Sequence, residues 1–104
     1  MTYRVIITDI AQDDFDYFLN YIIKKLKNKE AAKSLLDDFE NTIKRLEDCA
    51  GSLKICDNET MKKYNYRRIN FSNHHYFMLY VVENDVATVD RIFHDLQDFE
   101  NLLY

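Results

Sequence analysis

Tyr76–Val82 reads YFMLYVV, seven residues that are apolar at nearly every position. A strand with one wet face alternates between apolar and polar residues, whereas an unbroken apolar run belongs at the centre of a sheet, covered on both faces. Turn-forming clusters bracket the run at Ser72-Asn73 and Asn84-Asp85. Beyond them lie two further strand-like runs, about Lys63 to Phe71 and Val86 to Phe93. Upstream, Tyr3 to Thr8 (YRVIIT) is rich in β-branched residues and predicts a first strand.

From Asp9 the apolar period changes. Ala11, Phe15, Phe18, Ile22 and Leu26 follow helical spacing, with Thr8 or Asp9 positioned as the cap. Asn28 interrupts the pattern, and Ala32, Leu35, Leu36, Phe39, Ile43 and Leu46 then define a second helix that stops near Gly51. Two amphipathic helices with a short connection predict an antiparallel helical hairpin, which needs a sheet to bury its stripe. Ser52 to Thr60 reads as irregular, and Leu96, Phe99, Leu102 and Leu103 behind Asp95 predict a short final helix. The hairpin covers one face of the central strand, so the chain's tail or a partner is expected over part of the other.

With 104 residues, 47% hydrophobic and 31% charged, one glycine and no proline, the composition fits one folded domain over residues 1–104 without a flexible linker. The formal net charge is -4, spread evenly over the two halves, which argues against bulk attraction to nucleic acid. Any cationic patch has to be made locally. Cys49 and Cys56 are too few for a disulfide framework or a thiolate metal site. With neither a secretory signal nor an apolar run of membrane-spanning length, the expectation is a cytoplasmic protein with no membrane partner.

The local exception to the acidic balance is Lys62–Val82, KKYNYRRINFSNHHYFMLYVV, with four cations, four tyrosines and two histidines. Strand alternation places Tyr64, Tyr66 and Arg68 on one face and Asn65, Arg67, Ile69 and Phe71 on the other. Lys62, Lys63, Tyr66 and Arg67 are candidates for contacting RNA or another target, while Tyr76 and Tyr80, in the apolar run, are assigned to the core. Downstream, RIFHDLQD brings Arg91 and His94, which share a face only if the strand ends or bends near Phe93. Imidazole exchanges protons and guanidinium neutralises charge on a phosphate, a set suited to cleaving RNA without metal or cofactor. His74, His75 and His94 lack the spacing of a zinc site. Asp13-Asp14 and Asp37-Asp38 are expected to be solvated, and a single glycine excludes a phosphate-cradling loop.

The order YRVIITDIAQDDF, NKEAAKSLLDDFENTIKRL, YNYRRINF, YFMLYVV and VDRIFHDLQD resembles the RelE/ParE family of toxins from bacterial type II toxin-antitoxin modules, from Tyr3 to about Leu103. The resemblance implies an α+β fold: an N-terminal strand, a helical hairpin packed on a twisted antiparallel sheet, and a short C-terminal helix. It also implies an antitoxin that wraps the toxin and blocks its working surface. RelE-like members act on messenger RNA in the ribosome as metal-independent ribonucleases, and the matching positions here are Arg68 or Arg67, Arg91 and His94. ParE-like members inhibit DNA gyrase by binding and have no nuclease site. Asp95 after the histidine and the acidic net charge lean away from the ribonuclease. Both targets stand, beside a third reading in which the chain only binds its antitoxin.

Overall fold

In the computed structural model, residues 2–97 are described. β1 (Arg4–Ile7) leads directly into α1 (Asp9–Lys24), and α2 (Lys29–Cys49) continues into a single 3-10 turn at Ala50–Ser52. A short α3 (Glu59–Lys63) precedes β2 (Arg67–Asn70), β3 (Tyr76–Glu83) and β4 (Val86–His94). Thr8 is the cap of α1, its Oγ1 accepting from the Ala11 amide at 3.1 Å, and Asn28 caps α2 by accepting from Ala31 at 3.0 Å. The sheet order is β1-β4-β3-β2. β2, β3 and β4 are antiparallel neighbours, whereas β1 pairs parallel with β4 because the whole helical hairpin intervenes before the chain returns to the sheet.

The central run is buried as its composition requires. Phe77, Met78, Leu79 and Tyr80 are fully enclosed, Met78 and Tyr80 under the helical hairpin and Phe77 and Leu79 on the opposite face. That opposite face is covered in part by the connection between α2 and β2, through Cys56 and the buried Met61. The stretch expected to be irregular and then extended is therefore a cover with its own helix. Asn58 caps α3 by accepting from the Thr60 and Met61 amides. Asn65, at φ 60°, ends it, with the Tyr66 amide donating to Met61 O and the Asn65 amide to Lys62 O. Lys62 and Lys63 accordingly sit in the last turn of a helix, where the dipole favours cations, and not in a strand. The final helix expected around Leu96–Leu103 falls mostly outside the described residues.

Gly51 is needed for closeness. A Cβ there would overlap the Tyr3 hydroxyl and ring, so any larger residue at this point of the 3-10 turn must displace the Tyr3 side chain. Tyr80 fixes the same turn from below, donating its hydroxyl to Ala50 O at 2.7 Å.

Candidate functional site

Register decides which of the basic side chains meet. Arg68 pairs with Leu79, and Leu79 pairs with Arg91, so the two arginines occupy one cross-strand row on the face that carries Phe77 and Phe93. The Arg68 guanidinium stacks 3.7 Å from the Phe77 ring centroid and that of Arg91 4.7 Å from Phe93, and the two rings lie 5.8 Å apart. Tyr66 joins the same face. An aromatic floor between two guanidiniums is thus assembled from β2, β3 and β4.

Each of these polar groups meets a carboxylate. Arg68 Nη2 donates to Asp95 at 3.2 Å and its Nε to Asn70 at 2.8 Å. Arg91 makes a two-pronged contact with Asp14, at 2.8 and 3.0 Å, and the same carboxylate accepts from the Ile92 amide at 2.9 Å. Tyr66 donates to Asp90 at 2.9 Å. The positive charge that the sequence gathers here is therefore offset in place, and the patch is not an open cationic groove.

His94 goes the other way. It pairs with Tyr76 and sets its ring edge-on against Tyr76 at 4.9 Å, on the helical face where Tyr76 also meets Phe18 and Phe71. Its Nδ1 accepts from the Leu96 amide at 3.1 Å. The condition for Arg91 and His94 to converge was a bend near Phe93. β4 does have a bulge, with Leu79 opposite Arg91 and Tyr80 opposite Val89, but it falls at Asp90, upstream of both residues, and leaves them on opposite faces.

Arg67 is also turned to the helical side. It donates through Nη1 to the carbonyls of Gly51, at 3.1 Å, and Leu53, tying β2 to the turn after α2. Lys62 and Lys63 are exposed on α3.

Two acids expected to be solvated are structural. Asp38 is 3% exposed and accepts from the Ser72 and Asn73 amides, at 3.0 and 2.9 Å, and from His74 Nδ1 at 2.7 Å. Burial pushes its carboxyl up, but the His74 ring and the two amides outweigh that and hold it below its ordinary range. Asp14 closes the edge of β4 beyond the end of β1, where Thr8 already bonds to Val89 O and Asp90 O. The sequence carries a signal for both. Asp14 lies between Ala11 and Phe18, and Asp38 between Leu35 and Thr42, within the inward stripes, and a carboxylate on a buried stripe has a partner.

The comparisons agree with this architecture. Among solved structures, a chain of the chromosomal ParDE toxin-antitoxin system from P. aeruginosa is similar, with a TM-score of 0.72 over 89% of this chain and 96% of that one. At 17% identity the likeness is one of fold. No curated protein sequence matches. Residues 5–99 match the family described as ParE toxin of type II toxin-antitoxin system, parDE. The strand, hairpin and sheet built here thus fall within one family match over nearly their full extent, and the chain belongs to the ParE toxins of type II toxin-antitoxin modules.

Proposed function

We propose that this ParE-type toxin arrests growth by binding DNA gyrase, and that it does not cleave messenger RNA. The observation that carries the reading is the separation of Arg68 and Arg91 from His94 by the thickness of the sheet, with both guanidiniums engaged by carboxylates. A metal-independent ribonuclease needs a proton-transfer group and charge-neutralising groups around one phosphate. The family match to ParE supports the same choice between the two targets.

A ParE toxin implies an antitoxin partner. Ile10 and Tyr17, 60% and 69% exposed on α1, with Tyr21 one turn further on, give an amphipathic antitoxin segment an apolar surface to cover. Purified protein added to a translating extract should leave the messenger intact. Discrete cleavage that disappears in His94→Ala, with the fold retained, would refute the binding reading and restore the ribonuclease.

A further inference from the structure

The contact network around Asp38 continues beyond the β2–β3 turn. Ser34 and Asp38 are four residues apart on α2 and therefore share a helix face, and His74 reaches them from the turn. His74 Nδ1 lies 2.7 Å from Asp38 Oδ2, and Nε2 lies 3.4 Å from Ser34 Oγ. An ionised carboxylate only accepts, so Nδ1 carries a proton, and in the neutral ring Nε2 presents its lone pair to the serine hydroxyl. The Ser72 and Asn73 amides fix the carboxylate in turn. A hydroxyl, an imidazole and a buried carboxylate in this connectivity are the recurrent device for activating a serine, and the serine–base distance is commonly loose before substrate binds.

Ser34 and Asp38 line an open cleft of about 520 Å³ together with Asn41 and Asn73, and His74 follows Asn73 in the chain. The two asparagines bring side-chain amides to the cleft, the group type that stabilises an oxyanion. Glu30 and Asp37 outnumber Lys33 in the same wall, which disfavours anionic substrates.

We propose that Ser34 is an activated nucleophile that accepts acyl groups from neutral or cationic activated esters, with His74 as its base and Asp38 as the positioning residue. Ser34 Oγ attacks the carbonyl carbon while Nε2 takes the hydroxyl proton and the C=O electron pair moves to oxygen. Collapse breaks the bond to the leaving group, which departs with the proton from Nε2, and Ser34 is left as an ester. Water then follows the same path, releasing the carboxylic acid and the free serine. This chemistry is independent of the gyrase reading and involves the opposite end of the sheet from β1.

The test is competition within one molecule. A fluorophosphonate forms an O–P bond to a serine and releases fluoride, the imidazole taking the hydroxyl proton. Ser52 and Ser72 are exposed and serve as internal references. Peptide mass spectrometry should find Ser34 labelled at least ten-fold faster than Ser52. His74→Ala should bring Ser34 down to the Ser52 rate. His74→Asn retains a donor for Asp38 without a base, so it keeps the turn folded should the alanine variant fail, and it should show the same loss. Ser34 labelled no faster than Ser52, or a ratio unchanged in folded His74→Asn, overturns the proposal.

Discussion

Asp38→Ala removes one buried carboxylate and three contacts. Bonds to a charged acceptor contribute about 1.5–3 kcal/mol each. Ser72 and Asn73 are exposed, so water recovers much of what their amides lose, and the expected net cost is about 3 kcal/mol rather than the full sum. With a urea slope of about 1–3 kcal/mol per molar, the unfolding midpoint should fall by roughly 1–3 M. The neighbouring Asp37→Ala, on an exposed position, should stay within about 0.5 kcal/mol of wild type. The pH dependence gives a second check. Asp38 has a lowered carboxyl in the folded chain, so its contribution is present above the unfolded value of about 3.9 and is lost as pH falls through the folded one. The deficit of Asp38→Ala should therefore shrink on acidification below about pH 4. A deficit under about 1 kcal/mol at neutral pH, or one that grows as pH falls below about 4, would refute the claim that this carboxylate holds the β2–β3 turn to α2.

Three further outcomes follow from packing. A double-mutant cycle of Asp14→Ala and Arg91→Ala should show a coupling of about 1–2 kcal/mol in chemical denaturation, since both side chains are mostly buried, and additive effects would remove the pair from the account. Tyr80→Phe should cost about 1–2 kcal/mol by thermal melting and should also abolish the last step of an alkaline phenol titration, because burial raises the Tyr80 hydroxyl above the ordinary tyrosine range. Gly51→Ala should destabilise by about 1–3 kcal/mol through its clash with Tyr3, and the penalty should largely vanish in a Tyr3→Ala background.

The secondary elements that follow a clear apolar period were legible in the sequence. Ala11, Phe15 and Phe18 define α1, Leu35, Phe39 and Leu46 define α2, and the unbroken YFMLYVV run occupies the doubly covered β3. The second cover was harder to read, because its single buried anchor, Met61, stands in a polar stretch whose helix is set by Asn58 and Asn65 rather than by periodicity. Arg68 and Arg91 share one face of the sheet, and His94 lies on the other. Ala87 and Val89 point inward at odd positions and Ile92 at an even one, so the parity change that betrays the bulge is present in the sequence. Its consequence for Arg91 and His94 depends on where the extra residue falls, which alternation alone locates only between Val89 and Ile92. The acids Asp14 and Asp38 were misread because adjacency in DD pairs suggests solvent, while burial depends on which helical face each carboxylate occupies.

The most direct measurement is a supercoiling titration of purified DNA gyrase with this protein, free of antitoxin. Binding-type action predicts inhibition that saturates with toxin concentration, persists in the Arg68→Ala/His94→Ala double variant at matched folding, and is relieved by the antitoxin. Unimpaired supercoiling at large toxin excess, with growth still arrested on induction, would contradict it.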